Sequence, residues 1–189
     1  MNSHTHLVVA RALLGRRATR TEQAAILVGA ALPDVYMIPF VIWGQIQNIP
    51  FGTLWGETYW QEPWQTIGAV SNSIPLFLAL LALGLWRSRP LALLAAAALL
   101  HLGADFLTHA SDAHKHFWPL TEWRFHSPIS YWESDYHAPA VAGVEAVLGL
   151  GCVALLWQRH KALWVRLILA LTGMSYLIIP AFWVLSLGG

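Results

Sequence analysis

Chemistry in this chain gathers in one stretch: His101-Leu-Gly-Ala-Asp105-Phe-Leu-Thr-His109-Ala-Ser-Asp112-Ala-His114-Lys-His116. It leaves an apolar run, residues 91–100, and enters a polar loop rich in histidine and carboxylate. An α-helix turns about 100° per residue, so positions four apart share a face. His101, Asp105 and Asp112 therefore fall on one stripe, with Thr108 beside them and His109 at its margin. Ionisable side chains at membrane depth are costly unless paired, and are usually functional. Imidazole and carboxylate at His-xxx-Asp spacing suit shared ligation of a divalent metal, with a buried structural pair as the alternative.

The elements around the stripe read as membrane segments. The 189 residues are 57% hydrophobic and 11% charged, with a mean hydropathy of +0.51. Soluble domains carry about 25% charged residues. The expectation is an all-α, multi-pass helical bundle forming a single integral membrane domain over 1–189. A short amphipathic or half-spanning helix, 3–15, with Ser3 as a plausible N-cap, precedes five spans at 21–43, 64–86, 90–110, 138–157 and 163–187. The first span is interrupted at Pro33-Asp34 and the second at Ser71-Asn72-Ser73-Ile74-Pro75. The N-terminus has no basic region ahead of its apolar part and is expected to be retained. Cys152 is the only cysteine, so no intrachain disulfide forms, and a net charge of +1 gives no reason to expect nucleic acid.

The basic clusters 11–20, 87–89 and 159–166 fall on one side of this arrangement, which the positive-inside rule makes cytoplasmic. Loops 44–63 and 111–137 then lie outside a cytoplasmic (inner) membrane. At ~1.5 Å rise per residue, Asp34, Ser73, His101, Asp105 and Glu145 lie roughly 18–24 Å from the cytoplasmic ends of their spans, and His4 and His6 roughly 15–18 Å. Five segments thus bring polar groups to one layer. Asp34 can ligate a metal, or cap the outer half of its broken helix. Ser73 reads as the N-cap of a half-helix whose free N–H groups suit an anionic substrate. Glu145 either pairs with a buried histidine or joins the site.

Residues 112–137 hold four histidines and seven aromatics, which suits an ordered outer lid better than a linker. Lys115 and Arg124 are its only cations and are expected to hold a phosphate. His116 and His137 are candidates for a second metal position.

The order Thr5-His6, Leu32-Pro33-Asp34 and His101-xxx-Asp105 resembles the YdjM-like membrane-bound metal-dependent hydrolases. These are distantly similar to zinc-dependent bacterial phospholipases C. The resemblance implies His6, Asp34, His101 and Asp105 as metal ligands. Where those proteins carry His-Arg-Gly…Thr-His-Ser before the middle span, this chain reads Ser71-Asn72-Ser73, which leaves a ligand position to His109, His116 or His137.

The leading expectation is a hydrolase holding one to three divalent ions, most simply Zn2+. It acts on a lipid or lipid-linked phosphoester, with Glu145 or Asp112 as general base and Ser73, Lys115 and Arg124 binding substrate. The alternatives are a metal-ion or small-solute transporter, since broken helices at a polar layer are also transporter features, and an inactive membrane scaffold with a structural metal.

Overall fold

The computed structural model describes residues 1–187, with side chains described to residue 178. Among the described residues nine helices occur in order: α1 (Ser3–Leu14), α2 (Arg20–Ala31), α3 (Met37–Ile46), α4 (Phe51–Gly56), α5 (Trp64–Ser71), α6 (Ile74–Arg87), α7 (Arg89–Thr108), α8 (Ala138–Arg159) and α9 (Leu163–Leu187). Two 3-10 turns, Thr58–Trp60 and Ser134–Tyr136, complete the list, and no strand occurs among the described residues.

Three stretches are long and apolar enough to cross a bilayer: Trp64–Arg87, Arg89–Thr108 and Ala138–Arg159. Fewer than the five expected spans therefore meet that standard. The span expected at 21–43 is two short helices, α2 and α3, joined by a turn at 32–36. Pro33 has no N–H to continue α2. In the second span, the chain breaks at Asn72 and Ser73 before α6 restarts with Pro75 in its first turn. Of the span expected at 163–187, the part whose side chains are described, Leu163–Ile178, is apolar, and the remainder lies outside those residues. Large hydrophobic side chains such as Leu85, Val147, Leu163 and Leu177 stand exposed, as a lipid-facing surface requires.

Helix α1 is the central element. It packs against α2, α7 and α8 and buries Thr5, His6, Val8, Ala10, Arg11 and Ala12. Its cap is Asn2, whose side chain makes no capping hydrogen bond; Ser3 turns its hydroxyl to Asp34 instead. Helix α7 packs against α2 and α6 as well as α1. The α2–α7 contact is backbone-close, because a Cβ on Gly29 would lie 2.0 Å from the Leu94 carbonyl oxygen. A Cβ on Gly84 would lie 2.4 Å from the Ala92 nitrogen, so the α6–α7 hairpin is equally tight. The expected loop 44–63 is largely structured. Leu54 and Tyr59 join Tyr36 and Phe40 in an aromatic cluster flanked by Trp55 and Trp64.

Candidate metal centre

The close α2–α7 approach sets the state of His101. Its Nδ1 lies 2.7 Å from the Ala30 carbonyl oxygen. A carbonyl only accepts, so Nδ1 carries a proton, and Nε2 is the nitrogen left to face the carboxylates. That Nε2 faces Asp105 Oδ2 at 2.8 Å and Asp34 Oδ1 at 3.5 Å. On α1, His6 stacks on His101 with ring centroids 3.5 Å apart and 6° between planes. His6 Nε2 lies 3.0 Å from Asp105 Oδ1. Both Nε2 atoms are buried and make no hydrogen bond of acceptable geometry. Two imidazole nitrogens thus converge on a carboxylate in a site with almost no water contact, and burying such groups without a partner is unfavourable.

A divalent cation resolves that conflict. One ligand atom each from His6, His101 and Asp105 fall within 4.8 Å of one another. Neutral imidazole and carboxylate are the donor set zinc takes. The carbonyl on His101 Nδ1 is the partner that fixes the ring of a metal-bound histidine. Asp34 is the most accessible carboxylate here, its side chain 23% exposed, and it accepts from Ser3. The Met1 nitrogen also reaches Asp105 Oδ1 at 2.8 Å. Side-chain cations are engaged elsewhere: Arg11 with Gly15 O, Arg124 with Ala113 O and Gln65, and Lys115 with Glu122.

The remaining expected residues divide. Glu145 holds α1 to α8: its Oε1 accepts from Asn2 N at 2.9 Å, Asn2 Nδ2 at 3.0 Å and Thr5 Oγ1 at 2.6 Å. Tyr176 donates in turn to Thr5 Oγ1 at 3.0 Å. Glu145 Oε2 is buried without a partner. Asp112 Oδ2 accepts from His109 Nδ1 at 2.8 Å and from Trp132 Nε1 at 2.9 Å, while its Oδ1 is buried and unpartnered. Burial alone would raise the Asp112 carboxyl, but the His109 and Trp132 hydrogen bonds hold it below its usual range. His109 turns Nε2 toward Asp105 Oδ1 at 3.6 Å.

Three residues expected to bind substrate have partners within the chain. Ser73 caps α6 by accepting from Leu76 N at 3.2 Å and donates to the Trp118 carbonyl. Arg124 ties the lid to α5 through Gln65 at 2.6 Å. Lys115 makes an ion pair with Glu122 at 3.2 Å. His137 is solvent-exposed at the start of α8, with φ 63°, and joins no part of the buried group. Asp34 caps nothing: α3 begins at Tyr36 without a side-chain cap.

Spacing alone did not single out His114. It is 7% exposed, with its ring centroid 4.9 Å from His109 and 5.7 Å from His116. Burial, then the charge of His109 and His116, pushes its imidazole down to about 3, so it stands neutral. Its separation of two residues from His116 was the available signal. No family model, curated protein or solved structure matches the chain.

Proposed function

We propose that this protein is a metal-dependent hydrolase of the cytoplasmic membrane, acting from the extracytoplasmic side on a lipid or lipid-linked phosphoester. On this reading the paired segments α2–α3 and α5–α6, with α7, α8 and α9, form five membrane passages around α1. The observation that carries the reading is the pair of buried, unpartnered Nε2 atoms of His6 and His101 aimed at Asp105. His6, His101, Asp105 and the more exposed Asp34 hold the cation, and zinc is the metal their chemistry suits. Bound there, the cation supplies Lewis-acid polarisation of the scissile group and a water of lowered pKa.

The chain's own groups do the rest. The Ala30 carbonyl keeps His101 in the ligating tautomer, and Glu145 holds α1 so that His6 stays stacked on His101. Glu145 Oε2 and Asp112 Oδ1 are the buried carboxylate oxygens left free to take a proton. A cleft of about 260 Å³ reaches Asp34 and is lined by Ser3, Leu7, Ala31, Val35, Met37 and Ile38. Its walls are apolar, which suits a substrate with a hydrocarbon tail. The similarity to the YdjM-like hydrolases at His6, Asp34, His101 and Asp105 supports the same reading.

The test is turnover in liposomes. Purified protein with zinc is given a diacyl phospholipid or a polyprenyl diphosphate, and headgroup or phosphate release is followed. Zinc-dependent release that Asp105→Asn abolishes is the expected result. Loss in Glu145→Gln with retention in Asp112→Asn assigns the base to Glu145, and the converse assigns it to Asp112. Absence of turnover on every phosphoester, combined with Asp105-dependent metal uptake into the liposomes, would favour transport instead.

A further inference from the structure

Three arginines come together at the end of the bundle away from the lid. Helix α8 leaves the lid at Ala138 and runs 22 residues to Arg159, roughly 33 Å at ~1.5 Å per residue. Arg11, on α1, is 9% exposed. Its Nη1 donates to Gly15 O at 2.8 Å, and its Nη2 lies 3.1 Å from His160 Nε2. Arg159 Nη1 donates to Ala12 O at 2.8 Å, so both side chains reach the C-terminal end of α1. Arg166 Nε donates to His160 O at 3.1 Å. Its guanidinium stands 5.1 Å from the Trp157 ring centroid. Among the described residues, the ion pairs made by arginine and lysine side chains are Arg89 with Glu22 and Lys115 with Glu122. Neither involves this group.

Like charges gathered in this way repel. The contacts above use two N–H groups of Arg11 and one each of Arg159 and Arg166, which leaves most guanidinium donors over. The surroundings are donors too. A guanidinium only donates, so His160 Nε2 accepts from Arg11 and the ring keeps its proton on Nδ1. The N–H groups of residues 163–165 precede the first backbone bond of α9, Arg166 N to Ala162 O. Ala162 has no side-chain acceptor to cap them. An anion would answer all of these donors at once.

The flanks decide which anion. Leu13, Trp157, Leu163 and Trp164, next to these residues in the chain, stand exposed. Helix α8 is long and apolar enough to cross a bilayer, which puts Arg159 at the depth of the headgroups. A soluble anion has no use for apolar flanks, whereas a phospholipid does. We propose that Arg11, Arg159 and Arg166 bind the phosphate of one anionic phospholipid, with its chains against these apolar side chains. The site is separate from the metal centre and does not depend on it. It lets one lipid join α1, α8 and α9, the helices that carry His6, Glu145 and Tyr176.

The test uses full-length protein in detergent. It is titrated with phosphatidylglycerol, with phosphatidylcholine of the same chains, and with inorganic phosphate. Native mass spectrometry counts bound lipid, and a thermal melt follows each addition. Wild type is expected to bind one phosphatidylglycerol, at least about tenfold tighter than phosphatidylcholine, and to melt higher with it. Arg159→Gln with Arg166→Gln is expected to weaken phosphatidylglycerol by about 25-fold, roughly fivefold per guanidinium. Arg16→Gln with Arg17→Gln removes the same charge from exposed arginines outside the group, and is expected to change binding by less than about threefold. If the first double variant does not fold, Arg166→Gln alone is read, with a loss of about fivefold expected. Equal affinity for the two lipids, or undiminished binding in the Arg166→Gln variants, overturns the site. Equal losses in the two double variants also overturn it, by assigning the attraction to diffuse charge. Inorganic phosphate binding as tightly as phosphatidylglycerol overturns the lipid as the ligand.

Discussion

At the scale of single residues, the account depends on where each imidazole keeps its proton. Backbone carbonyls of Ala30 and Asn72 fix Nδ1–H on His101 and His116, and Asp112 does the same for His109. In the neutral form of each ring the lone pair is then at Nε2. Such outer partners tune metal affinity, so Thr5→Val, which removes a donor from Glu145 and loosens His6, is expected to weaken zinc binding by about 10–100-fold. Leaving Glu145 with a lost hydrogen bond is also expected to cost about 1–3 kcal/mol. Competition against a fluorescent zinc chelator and thermal melting check the two effects. His6, Asp34, His101 and Asp105 were legible in the sequence, because a charge or imidazole within an apolar run has few reasons to be there. Ser73, Lys115 and Arg124, expected as substrate groups, have partners that the sequence does not show. Their partners are the Trp118 carbonyl, Glu122, and the Ala113 carbonyl with Gln65, which the path of the lid brings to them. His114 was passed over for the same reason: its neighbours depend on how the lid folds back.

At the scale of elements, the site depends on α1 lying between α2, α7 and α8, and on α2 touching α7 at Gly29. Gly29→Val puts side-chain atoms where the Leu94 carbonyl stands. It is expected to cost about 1–3 kcal/mol by overpacking. It should also lower zinc occupancy, because α2 carries both the Ala30 carbonyl and the approach to Asp34. Gly103→Val, where a Cβ meets nothing within 4 Å, serves as the matched control and should retain zinc. Metal analysis beside a thermal melt distinguishes the pair. The breaks at Pro33 and Ser73 could be read from proline chemistry alone. The central place of α1 could not: its apolar positions fit a surface helix and a buried one equally, and only the packing of α2, α7 and α8 decides between them. The helices within 44–63 were hidden because their aromatic residues also suit interfacial anchoring.

At the scale of the whole molecule, three stretches long and apolar enough to span a bilayer accompany shorter apolar helices, and nine of the eleven basic residues lie outside residues 111–137. The proposed orientation predicts that Thr121→Cys, in a Cys152→Ser background, reacts in intact cells with an impermeant maleimide. Arg17→Cys in the same background should react only after permeabilisation; both positions are exposed. The central claim, that His6, His101 and Asp105 form a metal centre, meets its most direct test in elemental analysis of protein purified without chelator. Wild type should carry zinc or another divalent metal at whole-number stoichiometry, and folded His101→Ala and Asp105→Ala should carry none at this site. Folded wild-type protein free of metal, or equal metal in all three proteins, would contradict it.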